Sequence, residues 1–151
     1  MQVGDARFGG RERGDLLPKG DEIVAPDATL TVKVGARHTG AGYELFEVDA
    51  QRGRGLAAPP HREPWGKAYY LLHGRLLVQV DDEGFDLAPG ASIAIPSGAL
   101  NTFTVLTPSA RFLVVSLTGG MGEFLADLAR GAAAGVPVES VAGRHGVEVS
   151  A

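Results

Sequence analysis

The chain contains no cysteine, so it has no disulfide frame, no thiolate nucleophile and no cysteine metal site. No stretch approaches the roughly 18 apolar residues of a membrane-spanning helix. Residues 1–20 carry no apolar core of signal-peptide length, and a soluble cytoplasmic protein is the expectation. Basic charge is not in excess: 14 Lys and Arg stand against 18 Asp and Glu, a net charge of −4. The densest basic stretch, Arg11 and Arg13, is flanked by Glu12 and Asp15, and such mixed runs are solvated surface rather than a nucleic-acid footprint. No internal repeat is present.

Turn-forming residues are plentiful, with 22 Gly and 9 Pro in 151 residues. A hydrophobic fraction of 44% suffices for one core and one domain. Residues 1–28 are polar, glycine-rich and weakly patterned, and read as an N-terminal arm. From Thr29 the texture changes to short strands. Thr29–Val34 is β-branched, and Tyr43–Asp49 alternates, with Glu44, Phe46 and Val48 on one face. Ala68–Leu72 and Leu76–Asp81 read as a hairpin joined at His73-Gly74-Arg75. Phe85–Leu87, Ser92–Ile95, Asn101–Leu106 and Arg111–Leu117 follow, divided by Gly/Pro turns. That succession indicates an all-β sandwich or barrel. Beyond Gly119-Gly120, Glu123–Arg130 places Phe124, Leu125 and Leu128 at helical spacing, with Gly131 as the expected stop. Pro137–Ala151 reads as a tail.

One set of spacings is specific. Gly55 is followed after five residues by His61, then after one by Glu63, after three by Lys67 and after six by Gly74. After fifteen intervening residues Gly90 begins a second set, with Pro96 after five residues, Gly98 after one and Asn101 after two. The pattern resembles the two motifs of the cupin superfamily, and the flanking strands are similar to its small single-domain, quercetin-dioxygenase-like members. The resemblance implies a cupin-type double-stranded β-helix, or jelly-roll barrel, over residues 29–120, with a short C-terminal helix and tail over 121–151. It also implies a homodimer, with the stripe Ala68, Tyr70 and Leu72 facing outward.

The metal-binding cupins hold their ion with two His and a Glu from the first motif and a His from the second. In this chain those positions are His61, Glu63, Lys67 and Asn101. A lysine cation has no free lone pair and opposes a metal, and an amide oxygen is a weak donor. One His and one carboxylate fall short of the three or more protein ligands of a transition-metal site. The expectation is therefore no tightly bound cofactor. The alternative is a weakly held divalent Fe, Mn, Ni or Zn on His61, Glu63 and Asn101.

The resemblance places the face of Lys67, Tyr69 and Leu71 in the barrel lumen, and strand alternation puts His61 and Glu63 on one face. His61, Glu63, Lys67 and Tyr69 are the candidate catalytic residues, and Trp65, Asn101, Phe103 and His38 the candidate ligand-binding ones. Each has a plainer alternative. His61 and Tyr69 are also ordinary core residues, Glu63–Lys67 a structural ion pair, and Trp65 a seal for one end of the barrel. The leading functional expectation is metal-independent proton transfer on a small organic molecule, of isomerase, dehydratase or cyclase type and plausible in natural-product biosynthesis. His61 would be general base, Tyr69 or Lys67 general acid or stabiliser, and Glu63 their orienting group. The alternatives are a metal-dependent, dioxygenase-like enzyme with a reduced ligand set, and a non-catalytic small-molecule-binding protein.

Overall fold

A computed structural model describes residues 14, 16–18, 20–24, 28–53 and 59–150. Most of the N-terminal arm, and Gly55 of the first motif, lie outside the described residues. Eleven strands form two antiparallel sheets among the described residues. The six-stranded sheet runs in the order β1 (Asp21–Val24), β2 (Ala28–Val34), β3 (Tyr43–Gln51), β10 (Ser109–Leu117), β5 (Lys67–His73), β8 (Ser92–Ile95). The five-stranded sheet runs β11 (Glu148–Val149), β4 (His61–Arg62), β9 (Asn101–Val105), β6 (Leu76–Val80), β7 (Glu83–Leu87). Three helices are found among the described residues: α1 (Ala36–Thr39), α2 (Met121–Ala133) and α3 (Val138–Arg144).

The period of two along each strand decides what the core contains. β3 buries Glu44, Phe46, Val48 and Ala50. β10, paired with it, buries Ala110, Phe112, Val114 and Ser116. β5, on the other side of β10, buries Lys67, Tyr69 and Leu71. Val114 stands opposite Phe46 and Tyr69, and Ser116 opposite Glu44 and Lys67. The inward face of this sheet therefore grades from apolar to polar within one row. Its outward face leaves Tyr43, Tyr70, Leu72, Val115 and Leu117 exposed.

Two sequence expectations are corrected. β5 and β6 do not form a hairpin: β5 pairs with β10 and β8, and β6 with β7 and β9. At Gly74 the chain crosses from one sheet to the other with φ of 82°. A Cβ there would strike the Ser109 carbonyl and Thr107 Oγ1, so the corner requires glycine twice over. The hairpin is β6–β7, turned at Asp81-Asp82. Gly131 does not stop α2, which continues to Ala133. A Cβ at Gly131 would lie 2.9 Å from Val141 Cγ2, so its bareness lets α3 pack closely against α2.

Residues read from sequence as arm or tail also take part in the sheets. β1 lies at the end of the arm and pairs with β2. Near the C-terminus, β11 pairs with β4, Val149 opposite His61 and Glu148 opposite Arg62. Among the described residues no helix is long and apolar enough to cross a membrane.

Candidate functional site

Between the sheets and α2 lies a cavity of about 330 Å³. Its walls are apolar over most of their extent, with Leu30, Val48, Phe112, Val114, Met121 and Phe124 among them. The cluster His61, Glu63, Lys67 and Tyr69 lines the same space.

His61 sits on the two-residue strand β4. That strand is held on one side by β9, His61 facing Asn101, and on the other by β11. Its Nδ1 is 2.9 Å from the Pro59 carbonyl. A carbonyl only accepts, so Nδ1 carries a hydrogen and Nε2 is the nitrogen turned toward Glu63, at 3.4 Å. Glu63 follows β4 directly, and the turn Pro64-Trp65-Gly66 brings the chain into β5 with Lys67 as its first residue.

Lys67 Nζ and Glu63 Oε1 are 2.6 Å apart. The same oxygen has Asn101 Nδ2 at 3.4 Å, and the other carboxylate oxygen accepts from Trp65 Nε1 at 3.1 Å. Burial pushes the Glu63 pKa upward, but the His61 hydrogen bond and the Lys67 charge prevail and hold it down at about 2. Burial likewise opposes the charge on Lys67. Tyr69 and Glu63 overcome that opposition, and its pKa stands above the ordinary lysine value. The ammonium also lies 5.3 Å from the centroid of the Tyr69 ring, within cation–π range. Lys67 is thus the ion-pair partner of Glu63 and a fixed cation, not a neutral amine.

Tyr69 packs against Phe112 with centroids 5.1 Å apart and meets Phe103 edge-on at 6.3 Å; Phe103 and Phe112 are 5.4 Å apart. All three rings line the cavity. Asn101, expected as a ligand-binding amide, is buried and donates to the carbonyls of His61 and Ala99 as well as lying beside Glu63. Trp65 is inside the fold rather than at a mouth. It packs on Phe124 with ring centroids 6.0 Å apart and is not among the cavity-lining residues. His38 does not reach the cavity either. It lies in α1, where Nδ1 accepts from the Gly35 amide at 3.2 Å.

Several participants were not singled out from sequence. Pro59 supplies the carbonyl that sets the His61 tautomer, and α2, β1, Val147 and Val149 supply cavity wall. Glu44 is a second buried carboxyl. Burial raises its pKa, against hydrogen bonds from the Gly122 and Met121 amides. A signal for it did exist: Glu44 shares its strand face with Phe46 and Val48.

The donor chemistry does not suit a resident metal ion. Among the described residues no three His, Asp or Glu side chains are grouped as ligands. The available carboxylate is engaged at 2.6 Å by an ammonium, and a cation held there is repelled by that charge.

The cupin domain family model matches residues 50–116. That span thus matches a cupin domain, and the two-sheet fold is shared with solved cupin structures. It is similar to the solved structure of the polyketide cyclase RemF from Streptomyces resistomycificus, at 25% identity and a TM-score of 0.55, over 71% of this chain and 79% of that one. It is similar also to KdgF from Halomonas sp., at 18% identity and a TM-score of 0.57, over 65% of this chain and 86% of the other. An RmlC-like cupin from Shewanella frigidimarina matches at 13% identity and a TM-score of 0.57, over 70% of this chain and 88% of its own. No curated protein matches the chain.

Proposed function

We propose that this domain is a metal-independent enzyme acting on a small organic molecule by proton transfer, of isomerase, dehydratase or cyclase type. The observation that carries the reading is the 2.6 Å Lys67–Glu63 contact beside His61, at the closed end of an apolar cavity. It divides the roles by chemistry. Glu63, held near 2, is too weak a base for neutral pH. Lys67, held protonated, is no nucleophile, but it is a fixed cation for an oxygen that gains negative charge. His61 Nε2 is left as the proton-exchanging atom, with the ring turned by the Pro59 carbonyl. Tyr69, beside Lys67, is the second candidate donor. Similarity to a polyketide cyclase supports a carbonyl-bearing substrate. The homodimer expectation extends this proposal, resting on the exposed outward face of Tyr70, Leu72, Val115 and Leu117.

The test is solvent-deuterium incorporation. Enolisable ketones are incubated with the protein in D2O after chelator treatment and followed by proton NMR. Exchange at the carbon beside the carbonyl, abolished in His61→Ala, is the expected result. Binding without exchange assigns the cavity to a non-catalytic binding protein. Exchange that appears only on adding Fe, Mn, Ni or Zn assigns it to metal-dependent chemistry.

A further inference from the structure

The cavity has a direction. Its polar residues are at the sealed end: the side chains of Lys67 and Glu63 are 2% and 4% exposed, and that of His61 14%. Its most open lining residues, among those described, are apolar. Val24 on β1 is 66% exposed, Val138 at the start of α3 is 41% exposed, and Ala132 near the end of α2 is exposed as well. Among the described residues the open side is therefore an apolar rim between β1 and the α2–α3 corner, with the charged pair at the opposite end.

The sealed end also has a surplus of one kind of hydrogen-bonding capacity. Both oxygens of Glu63 are engaged, one by Lys67 with Asn101 and His61 close by, the other by Trp65. The carboxylate has little left for a ligand. Lys67 has three protons, one of which points to Glu63 and another of which faces Tyr69. Within the cluster those two contacts are the ones Lys67 makes, and its ammonium lines the cavity with a third proton to offer a ligand. A cationic donor facing an apolar cavity favours an acceptor atom on whatever binds there.

Resting on the proton-transfer reading of this same site, we propose the substrate class: a ring-bearing amphiphile with one acceptor oxygen at its end, a carbonyl, enolate or phenolate. It enters oxygen first, places that atom on Lys67 beside His61, and lays its ring along Tyr69, Phe103 and Phe112. Its apolar edge remains at Val24 and Val138. A ligand headed by an ammonium group is rejected, because it meets the Lys67 charge and finds Glu63 already taken. The volume, near the lower end for small-molecule sites, suits about two fused rings.

The experiment measures affinity by calorimetry for three probes of similar size: 1-tetralone, naphthalene and 2-naphthylmethylamine. The expected result is 1-tetralone bound at least ~10-fold more tightly than either of the others, about 1.4 kcal/mol. In Glu63→Gln/Lys67→Met, which removes both charges together, tetralone falls to the level of naphthalene. Val138→Trp, at the rim and outside the charged cluster, weakens tetralone and naphthalene alike. Equal or tighter binding of the amine, or tetralone affinity unchanged in both variants, overturns the proposal. Deuterium exchange on bound tetralone is read separately. Selective binding without exchange leaves the ligand class standing and removes the catalytic reading, whereas exchange without selectivity does the reverse.

Discussion

The Lys67 ammonium and the Glu63 carboxylate meet at 2.6 Å with both side chains almost wholly sealed from solvent. The motif resemblance implies a metal ligand at position 67, and the chain has a lysine there. The pair is costly to desolvate and costly to break, and the two costs are different.

Breaking the pair from one side strands a buried charge. Lys67→Met alone is expected to lower stability by about 3–5 kcal/mol, seen as a reduced urea midpoint. Glu63→Gln/Lys67→Met is expected to cost far less, because neither charge remains. A single variant no less stable than the double one would contradict the buried-pair description.

Stability should also depend on acid. Glu63 titrates near 2 in the fold and at 4.5 ordinarily, so the folded state binds its proton less readily than the unfolded state. Its contribution, about 3 kcal/mol at full strength, is present above the ordinary carboxylate value and lost as pH falls from about 5 toward 2. Glu44, shifted upward by burial, acts in the opposite sense: its contribution is present at low pH and lost as pH rises through the folded value. Urea titrations from pH 2 to 7 should show the acid loss in the wild type and a flattened curve in Glu63→Gln.

His61 should separate binding from chemistry. His61→Ala is expected to reduce the deuterium-exchange rate by roughly 10²–10⁴-fold, with tetralone affinity changed much less. A parallel loss of both would make His61 a binding group only.

The C-terminal strand is expected to matter at a distance along the chain. β11 pairs with β4 at His61, and the Ser150 amide donates to the Pro60 carbonyl at 2.8 Å. The segment is pinned by His145 Nε2 on Asp127 Oδ2 at 2.6 Å. Truncation after Gly146 should leave most of the sheet hydrogen bonds protected from exchange while the β4 amides lose protection and activity falls. Unchanged activity would show that β9 alone suffices to hold β4.

What the sequence disclosed follows from what period two can encode. The alternation of Lys67, Tyr69 and Leu71, and of Glu44, Phe46 and Val48, is a local property, and the structure buries both rows. The choice between a hairpin and a sheet-to-sheet corner at Gly74 is not local, because both need a glycine turn between alternating strands. β11 has only two residues, Glu148 and Val149, too short for any periodicity to register. Trp65 and His38 were placed by their turns, and a turn does not specify which way its side chains point. That Glu63 and Lys67 would meet was legible as one alternative. The engagement of all four neighbours of Glu63 depends on Asn101 arriving from β9, which only the fold decides.

The most direct measurement is metal content by elemental analysis after incubating the protein with Fe, Mn, Ni or Zn and dialysing it. Metal-independent chemistry predicts far less than one equivalent of metal per chain for each, with deuterium exchange undiminished. One equivalent retained in the wild type and lost in His61→Ala would contradict it.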